Sequence, residues 1–422
     1  MSTASPLRTA EIIAVGSELL GTARLDTNSL FLTELLASMG IEVLTKHVVG
    51  DHRATLAQVF REARARSDLI VFTGGLGPTD DDLTRDVVAD VLGRAMDIDE
   101  AIVEKIRARF TRRGMRMPDV NRRQAQVPRG ATVLDNPNGT APGLLIDDDH
   151  RVVVLLPGPP REMKPMFEKL AAGALAARAG AERVYTASLF ITGRSESDVE
   201  QTVQPIYSRW RDATPPIVTT ILAAMGQIEL HLSLRAADGA KGPAEVSRAR
   251  DELARALGDD VYSTDGRMMP EVVGDLLRTG GYSFAAAESC TGGLLLSRLT
   301  DVPGSSDYVH GGIVAYDNDA KIAWLDVPRA LIAQHGAVSE PVAIAMAEGI
   351  RALTGADVAV AITGIAGPGG GTPEKPVGTV VIAVLAPERA AYVRTYSFLG
   401  GRDMVKFQST QAALDRVRRM IA

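Results

Sequence analysis

The sequence of 422 residues contains a single cysteine, Cys290. One cysteine cannot form an internal disulfide, so we expect the chain in a reducing cytoplasm. No apolar run approaches the roughly 20 residues that span a bilayer, and the first residues lack the pattern of a secretion signal. These absences predict a cytoplasmic protein with no membrane contact.

Aromatic residues make up only 5% of the chain, and the formal net charge is -6. Neither an aromatic stacking platform nor the His and Cys spacing of a zinc site is evident, and an acidic protein is a poor general binder of phosphate backbones. The run RARFTRRGMR at 107–116 is the best candidate for a basic patch, although a solvated helix face explains it more simply. Nucleic acid is therefore not an expected partner.

Short, continuous apolar segments predict buried strands at 11–15, 69–73 and 152–157. Between the first two, the segment 28–40 predicts a helix that is capped by Asn28 and ended by Gly40, with an apolar stripe formed by Leu32, Leu35, Leu36 and Met39. Strand, helix and strand in this order predict a parallel α/β domain over residues 1–170.

The middle of the chain has a different pattern. Residues 227–235 alternate apolar and polar side chains, which predicts a strand with one wet face, and 186–193 is the expected partner strand. We therefore predict a small α+β module over 171–262. From 263 to 422 the pattern of buried strands and amphipathic helices returns. The expected fold class is α/β, with two parallel-sheet domains joined by the small module.

A glycine-rich, acidic loop, GGLGPTDDDLTRD, follows the strand 69–73. Glycines between a strand and a helix let backbone amides approach an anion. No lysine follows the glycines as it would in a Walker A loop, and Asp80, Asp81 and Asp82 stand there instead. A phosphate beside them requires a hard cation such as Mg²⁺. Alternatively, the carboxylates only cap a helix.

This loop, together with VGSELLGTARLDTN, VVGDH, NPNGTAPG and LPGPP, resembles the molybdopterin-binding fold, and more closely the N-terminal domain of the competence/damage-inducible protein A (CinA) family. The resemblance implies phosphate contacts from Gly74, Gly75 and Thr79, and a divalent metal at Asp51 and Asp82. It further implies metal-assisted hydrolysis of ADP-ribose to AMP and ribose 5-phosphate. A cation in that place would neutralise the diphosphate.

Three candidate nucleophiles, Ser289, Cys290 and Thr291, stand side by side in AAAESCTGGLL at 285–295. A catalytic thiolate needs a nearby histidine, and this region has only His310 and His335. A lone buried cysteine is usually an apolar filler. The segment also lacks the G-x-S-x-G pattern of the α/β-hydrolases.

A serine can instead be activated by a lysine whose pKa is lowered by burial. In GGIVAYDNDAKIAWL, Tyr316 ends an apolar strand and Lys321 follows after a polar turn, so both are expected at the same sheet edge as Ser289. Considered alone, Lys321 is explained more simply as a solvent-facing helix lysine. Backbone amides near Gly292 and Gly293 are candidates for an anion nest.

Together with these segments, HGAVSEPVA and ITGIAGPGGGTPEKPVGTV resemble the C-terminal domain of the CinA family, which also exists alone as nicotinamide-nucleotide amidase. The resemblance implies Ser289, Tyr316 and Lys321 as the catalytic group, with Ser289 attacking and Cys290 packing. The loop 363–371 is expected to present backbone donors to the nucleotide. The other expected substrate contacts are Thr291, Gly292, Gly293, Gly364, Ala366, Gly367 and Lys375.

The implied function is salvage of pyridine nucleotides: deamidation of nicotinamide mononucleotide in the C-terminal domain and hydrolysis of ADP-ribose in the N-terminal domain. The amidase site needs no cofactor. The alternative is a nucleotide-binding regulatory protein in competence or the DNA-damage response. The resemblance also implies a KH-like middle module, without a visible GxxG clamp, and a homo-oligomer, most simply a dimer.

Overall fold

The computed structural model describes residues 6–22, 24–224, 226–237, 239 and 241–422. The chain folds into two compact units, one formed by Met1–Tyr185 with Arg235–Gly242 and the other by Thr186–Leu234 with Pro243–Ala422. The predicted division into three modules counts the middle segment separately, whereas most of that segment belongs to the second compact unit.

The first unit is built from alternating strands and helices. In chain order these are β1 Thr9–Val15, α1 Asn28–Ser38, β2 Glu42–Val49, α2 Arg53–Arg66, β3 Leu69–Thr73, α3 Thr84–Leu92, β4 Met96–Ile98, α4 Glu100–Thr111, β5 Gln126–Pro128, β6 Ala131–Leu134, β7 Gly143–Asp148, β8 Arg151–Leu156 and α5 Pro160–Leu170.

The main sheet of this unit has the strand order β2-β1-β3-β8-β7-β6. β1 is parallel to β2 and β3, and β3 is parallel to β8, but β7 is antiparallel to both β6 and β8. Only Asp149 and His150 connect β7 to β8, and so short a turn can join only antiparallel strands. The predicted α/β class is confirmed, with a sheet that is mixed rather than wholly parallel.

The apolar strands of this sheet are covered on both faces. Along β3, Leu69 and Val71 pack into one buried cluster, whereas Ile70 and Phe72 pack into the cluster on the opposite face. Burying a side chain of this size stabilises the fold by about 1.5–3 kcal/mol. A strand buried on both sides needs apolar residues at every position, which is why its sequence shows no alternation.

The predicted helix at 28–40 is present as α1, but its first turn is organised differently from the prediction. Asn28 does not cap the helix, because its side-chain amide donates to the carbonyl of Gly158 at 2.7 Å. The carboxylate of Asp26 instead accepts from the backbone amide of Ser29 at 3.0 Å. The side chain of Asn28 therefore binds the loop that follows β8.

The second unit contains β9 Glu182–Ile191, α6 Glu196–Arg211, β10 Ile217–Ala224, β11 Gln227–Ala237, α7 Lys241–Leu257, β12 Val261–Ser263, α8 Met269–Gly280, β13 Phe284–Glu288, α9 Leu294–Thr300, β14 Val309–Val314, α10 Asn318–Leu325, α11 Arg329–His335, α12 Glu340–Thr354, β15 Val358–Gly364, β16 Thr379–Leu385, β17 Tyr392–Ser397 and α13 Arg402–Ile421; the first residues of β9 and the last of β11 belong to the first unit.

Two sheets organise this unit. The smaller one has the order β10-β11-β9-β12, so the alternating strand at 227–235 lies beside the segment 186–193 as predicted. The larger one has the order β14-β13-β15-β16-β17. β13 is parallel to β14 and β15, whereas β16 is antiparallel to β15 and β17. This sheet is therefore also mixed. In the part of the chain that the structure describes, no helix is long and apolar enough to cross a membrane.

A fully buried carboxylate, Glu11, lies on β1. It accepts hydrogen bonds from Arg66 Nε at 2.7 Å, Thr45 Oγ1 at 2.6 Å and Ser67 Oγ at 2.9 Å, and it lies 2.9 Å from His47 Nε2. Burial raises the pKa of this carboxyl, but the hydrogen bonds from Arg66, Thr45, His47 and Ser67 together outweigh burial and lower the pKa to about 2.

Because the pKa of Glu11 in the folded protein lies below the ordinary value of 4.5, its ionised form stabilises the fold above that pH, and this stability is lost as the pH falls toward 2. We expect Glu11→Gln to lower the free energy of unfolding at pH 7 by on the order of 3 kcal/mol and to flatten its decline in acid. Urea unfolding at several pH values measures both effects. The exposed Glu34 on α1 is the control, and equal effects of Glu34→Gln and Glu11→Gln would contradict the assignment.

Candidate active site

Ser289 lies at the carboxyl end of β13, directly after the strand ends at Glu288. Its backbone amide donates to the carbonyl of Ile362 on the neighbouring parallel strand β15 at 2.9 Å. The side chain is largely buried. The parallel strands β13, β14 and β15 end at this edge, which is where open α/β sheets collect their ligands. The predicted position of Ser289 is thus the observed one.

Lys321 meets Ser289 at this edge. Its Nζ lies 3.1 Å from Ser289 Oγ, and it also lies 2.9 Å from the carbonyl oxygen of Ala315 and 3.1 Å from that of Tyr316. The Asp317 side chain accepts from the amide of Ala320 at 2.6 Å and so caps α10, which brings Lys321 back over the strand end. Lys321 is only 1% exposed, so it is not the solvent-facing helix lysine of the simpler interpretation.

Burial shifts the protonation of Lys321 toward the neutral amine. It lowers the pKa of the ammonium below its ordinary value, and the carboxylate of Asp317 opposes this only in part. Three carbonyl oxygens lie within reach of Nζ, those of Ala315 and Tyr316 and, at 3.3 Å, that of Asp317. Once deprotonated, the amine can donate to two of them and direct its lone pair at the hydroxyl of Ser289. This is the arrangement that a serine nucleophile and its proton acceptor require.

Tyr316 contributes to this group through its main chain. Its carbonyl oxygen contacts Lys321, whereas its phenol is 59% exposed and accepts a hydrogen bond from Arg402 Nη2 at 2.8 Å. Arg402 Nη1 also donates to the carbonyl of Gly367 at 2.7 Å. Sequence reasoning missed Arg402. Its signal was a cation in the first turn of α13, where the helix dipole disfavours positive charge.

A second residue that the sequence reasoning missed is Glu288. Its buried carboxylate accepts from the backbone amides of Gly293 at 3.0 Å, Leu295 at 3.1 Å and Leu296 at 3.0 Å. The amide of Gly292 donates to the carbonyl of Ser289 at 3.1 Å. The predicted anion nest at Gly292 and Gly293 is therefore wrong for these two amides, because both already donate within the loop.

The predicted nucleotide loop follows β15 and lies beside Arg402 through the carbonyl of Gly367. Gly364 ends the strand in a tight fit, since a Cβ there would lie 2.9 Å from the carbonyl oxygen of Thr379. Ala366 is buried. Lys375 Nζ donates to the carbonyls of His335 at 3.0 Å and Val338 at 2.7 Å, so its ammonium ties the loop down. A phosphate contact from Lys375 stays a prediction.

Cys290 packs into the apolar core beside Ser289, and Thr291 is buried next to it. Burial raises the pKa of the Cys290 thiol to about 12. A thiol of this kind is almost wholly protonated at neutral pH and is a poor nucleophile. The hydroxyl of Ser289, with a buried amine beside it, is the better nucleophile.

The first unit contains a cavity of about 640 Å³. It lies where β1, β3 and β8 end, and mononucleotide-sized ligands occupy pockets of this volume. The residues that line it include Asn28, Asp51, Gly74, Gly75, Asp82 and Glu162.

The glycine loop beside this cavity requires its glycines. Gly74 has a φ of 95°, and a Cβ there would lie 2.2 Å from the carbonyl oxygen of Val15. Gly75 has a φ of 66°, and a Cβ there would lie 2.2 Å from Thr84 Oγ1. Buried Arg85 donates to the carbonyls of Leu76 at 2.7 Å and Gly77 at 3.1 Å, and so supports the loop from the protein side.

Asp82 holds the same loop from its other side. Its carboxylate accepts from the amide of Gly77 at 2.7 Å, the amide of Thr79 at 2.9 Å and Thr79 Oγ1 at 2.6 Å. Asp51 Oδ2 accepts from the amide of Ser17 at 2.9 Å. Both predicted metal ligands and Thr79 thus have structural hydrogen bonds, but Asp82 braces the loop and does not cap α3, whose N-terminus has no side-chain cap.

These contacts limit the kind of metal that would fit. Across the described ranges, no three His, Cys, Asp or Glu side chains come together as a metal-binding group. Mg²⁺ in nucleotide enzymes is often held by one or two carboxylates, with water and substrate phosphates completing its shell. Asp51 and Asp82 at the cavity fit an ion that arrives with a phosphate ligand better than a resident metal centre.

Two family models match this chain, one in each of its two sites' regions. Residues 267–421 match the family model described as "CinA C-terminal domain", and residues 11–177 match the "Probable molybdopterin binding domain". A CinA-like protein of Koribacter versatilis is 46% identical over 98% of this chain and 99% of its own length. A CinA-like protein of Solibacter usitatus is 42% identical over 98% of each chain.

Among solved structures, the competence/damage inducible protein CihA from Agrobacterium tumefaciens is 38% identical and covers 36% of this chain and 94% of its own, with a TM-score of 0.34. The two family models and the full-length relatives define a class of protein that joins a molybdopterin-binding-like domain to a CinA C-terminal domain. The chain belongs to the CinA family, as its resemblance predicted.

The raised pKa of the Cys290 thiol predicts low reactivity. At pH 8 a thiol with a pKa near 12 is ionised in roughly one molecule in 10,000, against about one in ten for an ordinary cysteine. We expect iodoacetamide to alkylate the native protein at least about 100-fold more slowly than the urea-unfolded protein. Cys290 is the only cysteine, so total labelling reports this residue alone. Equal rates in both states would contradict the buried, protonated thiol.

Proposed function

We propose that the second unit deamidates nicotinamide mononucleotide to nicotinic acid mononucleotide and ammonia. The observation that carries this proposal is the 3.1 Å contact between the amine of buried Lys321 and the hydroxyl of Ser289 at a sheet edge. The family resemblance supplies the substrate class. No residue of the site requires a cofactor for this chemistry.

The reaction begins when Lys321 Nζ takes the proton of Ser289 Oγ, and the oxygen attacks the carboxamide carbon of the nicotinamide group. The tetrahedral intermediate collapses when Lys321 returns this proton to the nitrogen, which leaves as ammonia. Lys321 then takes a proton from water, whose oxygen attacks the acyl-serine. Cleavage of the ester bond releases the acid and returns the proton to Ser289 Oγ.

The rim of the site fits the phosphate of the substrate. The guanidinium of Arg402 is exposed there, and its position is set by hydrogen bonds to the hydroxyl of Tyr316 and the carbonyl of Gly367. A guanidinium binds phosphate oxygens with paired N–H donors. In this proposal Tyr316 orients Arg402 through its phenol and supports Lys321 through its carbonyl.

Ser289→Ala is expected to abolish ammonia release from nicotinamide mononucleotide, because it removes the attacking oxygen. Lys321→Met is expected to reduce kcat by at least about 1000-fold, since the proton acceptor is lost. In the native protein kcat/KM is expected to rise with pH as Lys321 loses its proton, with a midpoint below the ordinary lysine pKa of 10.5. A coupled ammonia assay between pH 6 and 10 measures these effects.

Cys290→Ala is the matched control for these variants, because it removes the neighbouring candidate nucleophile and leaves Ser289 and Lys321 in place. We expect it to keep at least about half of the native kcat. Substantial ammonia release by Ser289→Ala, or its loss in a folded Cys290→Ala protein, would reverse the assignment of the nucleophile.

We propose hydrolysis of ADP-ribose to AMP and ribose 5-phosphate as the activity of the first unit. The observation that favours it is the cavity at the strand ends, which is lined by a loop that requires glycine at Gly74 and Gly75 and by the carboxylates of Asp51 and Asp82. A bound divalent ion would neutralise the diphosphate and lower the pKa of water. Asp51 and Asp82 are the residues that would hold it, while the loop fixes the phosphates.

The two roles of Asp82 can be separated by substitution. Asp82→Asn keeps an acceptor oxygen for the loop amides but removes the charge that attracts a cation, whereas Asp82→Ala removes both. If Asp82 holds the metal, both variants and a chelator are expected to stop AMP formation from ADP-ribose. If Asp82 only braces the loop, Asp82→Asn is expected to keep most of the activity. Chromatographic measurement of AMP distinguishes these results, and full activity under chelator would refute the metal.

The alternative function is non-catalytic nucleotide binding in competence or the DNA-damage response. It predicts that Ser289→Ala leaves the biological role intact, whereas the amidase proposal predicts its loss. Under either proposal we expect the protein in the cytoplasm and as a homodimer, with small nucleotides as its ligands and no role for membranes or nucleic acid.

A further inference from the structure

A second large cavity, of about 790 Å³, lies in the second unit. It is bordered by the turn between β9 and α6, the end of β10 and the start of β11, β17 and one side of α13. None of its lining residues belongs to the group around Ser289 and Lys321. The amidase chemistry therefore does not account for it.

One wall of this cavity is an alternating aromatic and cationic face. Tyr392, Arg394, Tyr396 and Phe398 stand at every second position along β17 and just beyond it, so they share one side of the strand. The rings of Tyr396 and Phe398 are stacked, with centroids 5.3 Å apart and an interplanar angle of 8°. The sequence prediction that the chain has no aromatic platform is therefore wrong, because three rings of this aromatic-poor chain converge on one cavity.

Two arginines of this cavity are stacked on tyrosine rings. The guanidinium of Arg416 lies 3.9 Å from the ring centroid of Tyr392, and that of Arg394 lies 5.2 Å from the centroid of Tyr396. Neither arginine forms an ion pair with another described residue. A stacked guanidinium keeps its N–H donors at its edges, where they are free to bind an anion.

Neighbouring Arg419 shows the contrast. It donates to Asp415 at 2.8 Å and to Asp260 at 3.0 Å, so its charge is neutralised within the protein. Arg394 and Arg416 are therefore the unpaired cations of the cavity, and they outnumber Glu196, the one lining carboxylate without an ion pair among the described residues.

One buried donor at this wall lacks an acceptor. The Nε of Arg416 has no hydrogen-bond partner among the described residues. Gln411 is accounted for within the protein, because its Oε1 accepts from Arg298 Nη2 at 2.6 Å and its side chain also hydrogen-bonds with the hydroxyl of Tyr262. A buried donor without an acceptor costs free energy, so the guanidinium of Arg416 is not fully satisfied by the protein itself.

The hydroxyls of Tyr392 and Tyr396 supply one further free hydrogen-bond donor. Tyr392 and Tyr396 lie with their hydroxyl oxygens 2.8 Å apart, so one hydroxyl donates to the other. The pair has two hydrogens and uses one, which leaves one O–H to donate to a ligand.

We propose that this cavity binds a small anion that carries a flat aromatic ring, of the nucleoside monophosphate class. The edges of Arg394 and Arg416 bind the phosphate, while Phe398 and Tyr396 provide the apolar surface for the ring. Its volume matches a mononucleotide, and a single cavity with two unpaired arginines does not suit a long polymer, whose binding requires a continuous basic groove.

The test is photolabelling of the full-length protein with 8-azidoadenosine monophosphate, followed by tryptic peptide mapping. We expect label on the peptides 390–394 and 395–402, which contain Tyr392, Tyr396 and Phe398. Unlabelled AMP is expected to compete best. Adenosine, which lacks the phosphate, and inorganic phosphate, which lacks the aromatic ring, are expected to compete at least about tenfold more weakly. Stronger competition by a single-stranded oligonucleotide than by AMP would overturn the proposal in favour of a polymer site.

Arg394→Met and Arg416→Met keep the apolar stems of the side chains and remove the donors. Each is expected to weaken AMP competition roughly tenfold and to leave the ammonia assay unchanged, with the label read on the single peptide 390–402 in Arg394→Met, which lacks the cleavage site at 394. Arg255→Met, at an exposed position on α7, is the matched control and is expected to label like the native protein. Absence of label on both peptides, or unchanged labelling in both cavity variants, would refute the site independently of the amidase result.

Discussion

The contact between Lys321 and Ser289 is the interaction on which the interpretation of this protein depends. An amine can take a proton from a serine only if it is itself uncharged, and burial is the means by which a lysine loses its charge near neutral pH. Lys321 is buried and faces main-chain carbonyls on one side and the serine hydroxyl on the other. The fold thus makes the base and holds it in place with the same contacts.

Charged side chains support both loops through hydrogen bonds to the main chain, and of these Glu288 and Arg85 are buried. Glu288 holds the amides that follow Ser289, and in the other unit Asp82 and Arg85 hold the amides and carbonyls of the glycine loop. Each of these charged groups replaces its lost water with backbone dipoles, which is how a charge is tolerated inside a protein. An acidic residue in a ligand loop is therefore as well suited to shaping the loop as to holding a metal.

Much of the fold could be predicted from the sequence because buried faces of strands and helices require apolar residues at regular spacings. The apolar runs at β1, β3 and β8 and the alternation along β11 each identified a strand, and each was confirmed. The antiparallel strands β7 and β16 were not separated from the parallel ones, since direction follows from the length of a connection and not from the residues of the strand. Asn28 was misread as a cap because its partner, Gly158, lies 130 residues away in sequence.

The sequence alone determined the family, the α/β class and the positions of Ser289 and Lys321, because motifs and periodicity are local properties of a chain. Only the tertiary structure decided which groups contact each other. Tyr316 accepts a hydrogen bond from Arg402, and the amides of Gly292 and Gly293 donate within their own loop. β17 lines a cavity beside α13. Hydrogen bonds and charge compensation join residues far apart along the chain, so they exist only once it has folded.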